Sequence, residues 1–465
     1  MTLSVTLPQN TKQMKRLSYI LLYMVCLTVH AQNVWTVDQC MQYAVTHNHE
    51  VRLQSIALDD YKAEKVRAIG SFLPAAEGDI GGQYNFGRAI DPETNTYTNV
   101  STFYNSYGLS VGIPVFDGFQ RYNNLRAAKA NVLMARSQVM AQKDATAQKV
   151  LETYTLAQYY KGCIEFATQK RAESEMLLRQ TKVMAEVGQK GEADVAQMQA
   201  TYAADDYEVT HQQGLYDNAV LTLKQLMNYP INDVLEIADC KEESLEVTYA
   251  EDSEIYEHAK LFHPDIKQAE YNLQSVKFAY HSSKGALFPS ISLGAGISTT
   301  YYKQLNVPLS TSFNEQFRNN AGQYLYASLS IPIFNRLNTL TNIRRQRNNV
   351  RRAEEELEYR SNELQRLIQE AVTDQENSRK ETMKMTAKVE SDSIASRLTI
   401  RKYEEGLASS IDVQTQTVTL LQSKAQLLQC QLTYLYKIRM LNYYKGIRPL
   451  TPASPPKGRG ALPLK

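Results

Sequence analysis

The sequence predicts a mixed fold of transmembrane β-strands and very long α-helices, in which several copies of the chain close one barrel. Three observations support it: the chain repeats its own pattern once, each half has two alternating segments of strand length, and each half has a long stretch without proline. The net charge of +2 provides no basic surface for nucleic acid, so no nucleic-acid partner is expected.

Residues 1–31 have the pattern of a secretory signal peptide. Lys15-Arg16 precedes an apolar run over 17–29, and Ala31 stands where a signal peptidase would cut. Met14 is an alternative start, because residues 1–13 are polar and add nothing that a signal needs. The apolar run is shorter than the roughly 20 residues of a spanning helix, and no other segment supplies a run of that length.

The remaining chain divides into a first repeat (32–230), a connector (231–250), a second repeat (251–446) and a Pro-rich tail (447–465) that we predict to be disordered. Motifs of the first half recur in the second at nearly constant offsets of 215 to 218 positions. They are Asn48-His49-Glu50-Val51 with His263-Pro264-Asp265-Ile266, Phe72-Leu73-Pro74 with Leu287-Phe288-Pro289, and Ile113-Pro114-Val115-Phe116-Asp117 with Ile331-Pro332-Ile333-Phe334-Asn335. A repeat of this length indicates two copies of one structural unit.

Four segments alternate between an apolar face and a face of small or polar residues. They are predicted strands at about 75–87, 105–115, 290–301 and 323–333. A half-buried strand of a soluble sheet would alternate in the same way. The lengths of about 9 to 11 residues match tilted transmembrane strands, and the long polar loops 88–102 and 302–321 are typical of extracellular loops.

Residues 118–187 and 336–405 contain no proline, so each could form a helix on the order of 100 Å long. Apolar residues recur every seven positions in both stretches and in the helices that follow them. Examples are Leu125, Val132 and Val139; Ile343, Val350, Leu357, Leu364 and Ala371; Val195, Tyr202, Val209, Tyr216 and Leu223; and Val413, Leu420, Leu427, Tyr434 and Leu441. This spacing predicts coiled-coil seams between long helices.

Four strands cannot close a barrel, and an open sheet edge in lipid would leave backbone groups unpaired. The chain must therefore oligomerise, and three copies would give a twelve-stranded barrel continued by a hollow α-helical cylinder through the periplasm. A trimeric coiled-coil surface adhesin or stalk with a membrane anchor is the alternative. Such a protein would carry its strands at one end of the chain, whereas here they lie inside each repeat.

The doubled layout, the prolines that bound the strands and the Ile113-Pro114-Val115-Phe116-Asp117-Gly118 motif at the start of the long helix resemble the outer-membrane efflux protein (TolC-like) family. The resemblance covers essentially the whole mature chain. It implies a homotrimer in the outer-membrane lipid, with a periplasmic tunnel that closes at its inner end. It also implies a periplasmic adaptor protein and an inner-membrane pump as partners, in a tripartite efflux pump or a type I secretion system.

The turns between the long helices carry the candidate site. Gly188 and Gly406 stand where a helix reverses, and glycine tolerates the left-handed backbone needed there. Asp194 and Asp412 follow each turn near the start of a helix, so N-terminal capping is one role for them. The resemblance implies another role, in which matching residues line or lock the aperture.

By this resemblance, Tyr403 hydrogen-bonds across the closed tip, to Asp194 in this chain, and three copies of Asp412 form a ring that favours cations. The resemblance also implies that the Gly188 and Gly406 turns contact the adaptor. Two residues depart from the family pattern: Ala408 replaces a locking arginine, and Thr415 replaces a second aperture carboxylate. The lock is therefore expected to be weaker or built differently.

No catalytic or cofactor-binding motif is present, so no enzyme activity and no cofactor are expected. His47 and His49 are two positions apart and would face apart on a helix, so no metal site is expected there. The mature cysteines are scattered without C-x-x-C spacing, which predicts isolated thiols. They are Cys40, Cys163, Cys240 and Cys430.

Overall fold

The computed structural model describes residues 34–90, 95–99, 101–239, 252–305, 311–405 and 407–446. The predicted signal peptide (1–31), connector residues 240–250 and the predicted tail (447–465) lie outside the described residues, as does Cys240. Of the other mature cysteines, Cys40, Cys163 and Cys430 are free thiols.

The two halves place their elements in the same order: two helices, strands, a very long helix and a return helix. The first half comprises α1 (Val37–His47), α2 (His49–Gly70), β1 (Ala75–Asn85), β2 (Arg88–Ile90), β3 (Tyr97–Asn99), β4 (Thr102–Phe116), α3 (Gln120–Glu186) and α4 (Glu192–Met227). The second comprises α5 (Asp252–Phe262), α6 (Pro264–Gly285), β5 (Ser290–Gln304), α7 (Phe313–Asn319), β6 (Gly322–Ser330), α8 (Asn338–Glu404) and α9 (Ser410–Tyr444).

The main sheet is antiparallel with the order β1-β4-β5-β6. All four strands predicted from the sequence are present, with shifted ends. β1 stops at Asn85, two residues before Gly87, which has a φ of +112°. β4 and β5 are each 15 residues long because they pair with each other along nearly their full length. β6 ends at Ser330, before Pro332, which lacks the N–H that a ladder needs.

One face of this sheet is apolar and exposed in the single chain. Ile80 is 78% exposed and Leu325 is 87% exposed, although both alternate with polar or small neighbours. On the opposite face, the rings of Tyr324 and Tyr326 pack over Gly296 and Gly294 of the adjacent strand. An apolar surface of this extent is stable only when lipid or protein covers it.

The two predicted polar loops contain more structure than the sequence indicated. Loop 88–102 includes the short hairpin of β2 and β3, and loop 302–321 includes α7. Ser312 caps α7 by accepting a hydrogen bond from the Glu315 N–H at 3.3 Å. The Ser-x-x-Glu spacing is a helix-start signal that could have predicted α7.

The long helices α3 and α8 each contain 67 residues, about 100 Å of helix. α3 packs along α4, and α8 packs along α9. Seam residues at the predicted seven-residue spacing are buried, among them Val132, Leu223, Leu364 and Leu441. Within the described residues, no helix has both the length and the apolar character that crossing a membrane requires.

The two halves meet at the junction between the sheet and the helices. Gly118, just before α3, has a φ of +66° and lies against the main chain of Gly285 at the end of α6. A Cβ on Gly118 would lie 2.9 Å from the Gly285 carbonyl carbon and closer still to its oxygen. Only glycine at this position allows the two backbones to approach so closely.

Candidate functional site

The first helical hairpin reverses at Gly188. α3 ends at Glu186, and Gly188 has a φ of +76°, the left-handed conformation that the sequence predicts for it. The N–H of Gly188 donates to the Ala185 carbonyl at 3.0 Å, and the N–H of Gln189 donates to the Met184 carbonyl at 2.8 Å. These bonds satisfy carbonyl groups at the end of α3 that have no partner within the helix.

Asp194 lies in the first turn of α4 and is half-buried. Its carboxylate accepts a hydrogen bond from the Gly191 N–H at 3.1 Å, so it caps the start of the helix. A negative charge there also interacts favourably with the helix dipole. The structure therefore shows the capping role of Asp194 directly.

Asp412 has the equivalent place in α9, and it is exposed. The Ser409 hydroxyl and N–H donate to its carboxylate at 2.7 and 2.8 Å, and the Asp412 N–H donates back to the Ser409 hydroxyl at 3.2 Å. These hydrogen bonds lower the pKa of Asp412, the hydroxyl contributing most. The sequence reasoning overlooked Ser409, although Ser-x-x-Asp before a helix resembles a capping box.

Tyr403 lies one residue before the last residue of α8 and is half-buried. Within one chain, the described residues show no hydrogen bond between Tyr403 and Asp194. Gly406, the second predicted turn glycine, lies outside the described residues. The structure thus describes four of the five predicted site residues, and it places the two aspartates as helix caps.

Apolar side chains project from both tips and were not singled out in the sequence. Val187 at the first turn is 66% exposed, and Leu407 and Ile411 at the second are 74% and 62% exposed. Val187 and Leu407 are adjacent in sequence to the turn glycines, which is the signal that could have found them. Apolar groups grouped at the end of a helical hairpin form a surface suited to contact with another protein.

The model for the family described as outer membrane efflux protein matches the chain twice, over residues 44–229 and 255–441. The chain belongs to the outer membrane efflux protein family. Each match contains two strands of the main sheet and one long helical hairpin.

Among curated relatives, the chain is similar to the outer membrane efflux protein BepC of Brucella suis biovar 1 (strain 1330), with 23% identity over 300 residues. The match covers 64% of this chain and 62% of BepC. Among solved structures, VceC of Vibrio cholerae has a TM-score of 0.74 at 13% identity, over 88% of this chain and 96% of VceC. The CmeC outer-membrane channel of Campylobacter jejuni has a TM-score of 0.71 at 16% identity, covering 88% and 85% of the two chains.

These comparisons confirm the predicted fold class, a mixed α and transmembrane β fold as in the trimeric outer-membrane efflux channels. This efflux protein is located in the outer membrane, and its helices extend into the periplasm. The family consists of channels rather than enzymes, and membership sets aside the adhesin alternative. Ala408 and Thr415, the two tip positions that the sequence comparison predicts to depart from the family pattern, both lie among the described residues of the second tip.

Proposed function

We propose that three copies of this chain close a twelve-stranded barrel and form the exit duct of a tripartite efflux pump or a type I secretion system. The open sheet carries the proposal. Within the described residues, β1 pairs only with β4, and β6 pairs only with β5. Each copy therefore has two free sheet edges, one along β1 and one along β6. In a trimer, β1 of each copy can pair with β6 of its neighbour, which satisfies every edge.

The mass of the detergent-extracted protein tests this arrangement. We expect a trimer, because a lipid-exposed edge would leave a row of backbone N–H and C=O groups unpaired. A stable, folded monomer in the same detergent would contradict the proposed barrel.

The exposed apolar tips support contact with a periplasmic adaptor protein, which would link the duct to an inner-membrane pump. Val187 and Leu407 lie at the far ends of helices about 100 Å long, so they are the surfaces nearest the inner membrane. The Gly188 and Gly406 turns would place them there. Replacing both apolar residues with serine should weaken adaptor binding without lowering the yield of trimer.

The proposed gate combines Tyr403 and Asp194 on neighbouring helices of the closed trimer. A net hydrogen bond to a charged group contributes about 1.5 to 3 kcal/mol, and three copies act together. Tyr403→Phe with Asp194→Ala should therefore increase the open population, measured as conductance across a planar bilayer. Tyr207→Phe with Asp217→Ala makes the same chemical changes on α4 at positions farther from the tip. This control should leave conductance unchanged.

Asp412 is proposed to form a ring of three carboxylates at the aperture. Asp412→Asn should reduce the preference for cations, measured as the reversal potential in a salt gradient, with less effect on opening. If the Tyr403 and Asp194 double variant conducts like the parent and Asp412→Asn leaves selectivity unchanged, these carboxylates act only as helix caps.

A further inference from the structure

Lys170 on α3 and Lys388 on α8 occupy equivalent positions of the two repeats, because they are 218 positions apart in the sequence. Both lysines form ion pairs. Lys170 Nζ lies 2.8 Å from Asp205 Oδ1, and Lys388 Nζ lies 2.7 Å from Asp392 Oδ2. The two repeats therefore hold the same charge pair at the same level of the hairpin.

The carboxylates of these pairs come from different helices. Asp205 lies on α4, across the hairpin, whereas Asp392 lies on α8, one turn from its lysine. The position equivalent to Asp392 in the first repeat is Ser174, and the position equivalent to Asp205 in the second is Ser423. Each repeat thus contains one lysine, one carboxylate and one serine, with the carboxylate and the hydroxyl exchanged between helices.

Three of the four exchanged positions are shielded from solvent, and the fourth, Asp392, is half-buried. Ser174, Asp205 and Ser423 are buried in their seams, with 1% of Ser423 exposed. Ser423 donates to Asp392 Oδ2 at 2.5 Å and accepts a hydrogen bond from Lys388, so the second repeat also links its two helices. The hydrogen bonds from Lys388 and Ser423 lower the pKa of Asp392, which keeps it charged.

We propose that these two sites fix the register of the two helices in each hairpin, and that the carboxylate can act from either helix. An apolar seam alone tolerates a slip along the helix axis, because each apolar residue still contacts another apolar residue after the slip. A slip in the first repeat would leave the buried Asp205 carboxylate without Lys170. A slip in the second repeat would break the hydrogen bond from Ser423 to Asp392 that crosses the hairpin. Lys170 lies about 27 Å along the helix from the Gly188 turn. The register of α3 against α4 at this level therefore determines the position of the tip along the helix axis.

An exposed ion pair beside the first site provides a matched control. Arg171 Nη1 lies 3.2 Å from Asp206 Oδ1, also across the hairpin, with side-chain exposures of 39% and 53%. The equivalent residues of the second repeat are Val389 and Lys424, which cannot form this pair. Exposed pairs contribute little, so this one should not set register.

The test converts the first site into the arrangement of the second. Asp205→Ser removes the carboxylate from α4, and Ser174→Asp in that background restores it on α3. The full-length trimer in detergent is then compared for its melting midpoint and for the distance between spin labels on α3 and α4. We expect Asp205→Ser to lower the midpoint and broaden the distance distribution, the double variant to recover most of both, and Asp206→Ser to resemble the parent.

A double variant no better than Asp205→Ser would overturn the proposal, as would a loss for Asp206→Ser equal to that for Asp205→Ser. If Asp205→Ser yields no trimer, recovery of trimer in the double variant becomes the measurement, and failure to recover it overturns the proposal. This test does not depend on conductance, so it is independent of the proposed gate.

Discussion

Gly118→Ala should destabilise the protein strongly, because it acts at the junction between the sheet and the helices. Alanine in the left-handed conformation costs about 1–2 kcal/mol, and overpacking a close contact costs roughly 1–3 kcal/mol. The new Cβ would overlap the Gly285 carbonyl group, as its 2.9 Å distance from the carbonyl carbon shows. Alanine also lowers the conformational entropy of the unfolded chain, which offsets the loss of stability by about 0.4–1 kcal/mol. The net loss is roughly 1–4.5 kcal/mol per chain.

Thermal unfolding of the detergent-solubilised trimer, followed by circular dichroism and by loss of trimer, measures this change. Gly214→Ala is the matched control, because Gly214 lies within α4 and a Cβ there meets nothing within 4 Å. The control should stabilise by about 0.5–1 kcal/mol through helix propensity. A Gly118→Ala protein with the same melting midpoint as this control would refute the proposed close approach to Gly285.

Other changes test separate contacts. Tyr154 is 2% exposed and its hydroxyl donates to the Ala238 carbonyl at 2.7 Å, so Tyr154→Phe should cost about 1–3 kcal/mol in the same melting assay. Arg336 has a φ of +56°, so Arg336→Gly should relieve strain and raise the melting midpoint slightly. Ser409→Ala removes the main cause of the low pKa of Asp412, so cation selectivity should disappear at a higher pH than in the parent as the pH is lowered.

The sheet and the long helices could be predicted because their signals are local and periodic. Alternation identified all four main strands, and the absence of proline placed α3 and α8 within two residues of their ends. The ends of strands were less predictable, since β4 and β5 extend each other by pairing. The loop helix α7 was missed because the loops were interpreted by their polarity, although Ser312 and Glu315 carried a capping signal.

The tip was only partly predictable for a physical reason. A helix cap depends on residues three apart, so the capping positions of Asp194 and Asp412 follow from the local sequence. A bond between Tyr403 and Asp194 depends on how neighbouring hairpins pack, which no local pattern encodes. The cap and the proposed gate would use the same carboxylate, because Asp194 already accepts from Gly191. A carboxylate has two oxygens and can accept both bonds, so the cap would hold Asp194 in place for the proposed gate.

Comparison of the repeats shows which properties of the fold are retained when residues change. Gly118 corresponds to Arg336, yet both have positive φ, so the flanking strand and helix impose the turn even on a residue that resists it. At the lysine sites the residues change in pairs instead, with Asp205 replaced by serine and Ser174 by aspartate in the second repeat. A backbone turn tolerates an isolated change at the cost of strain, whereas a buried charge requires a compensating change beside it. Paired differences between the repeats therefore identify positions where a carboxylate is needed beside the lysine but can come from either helix.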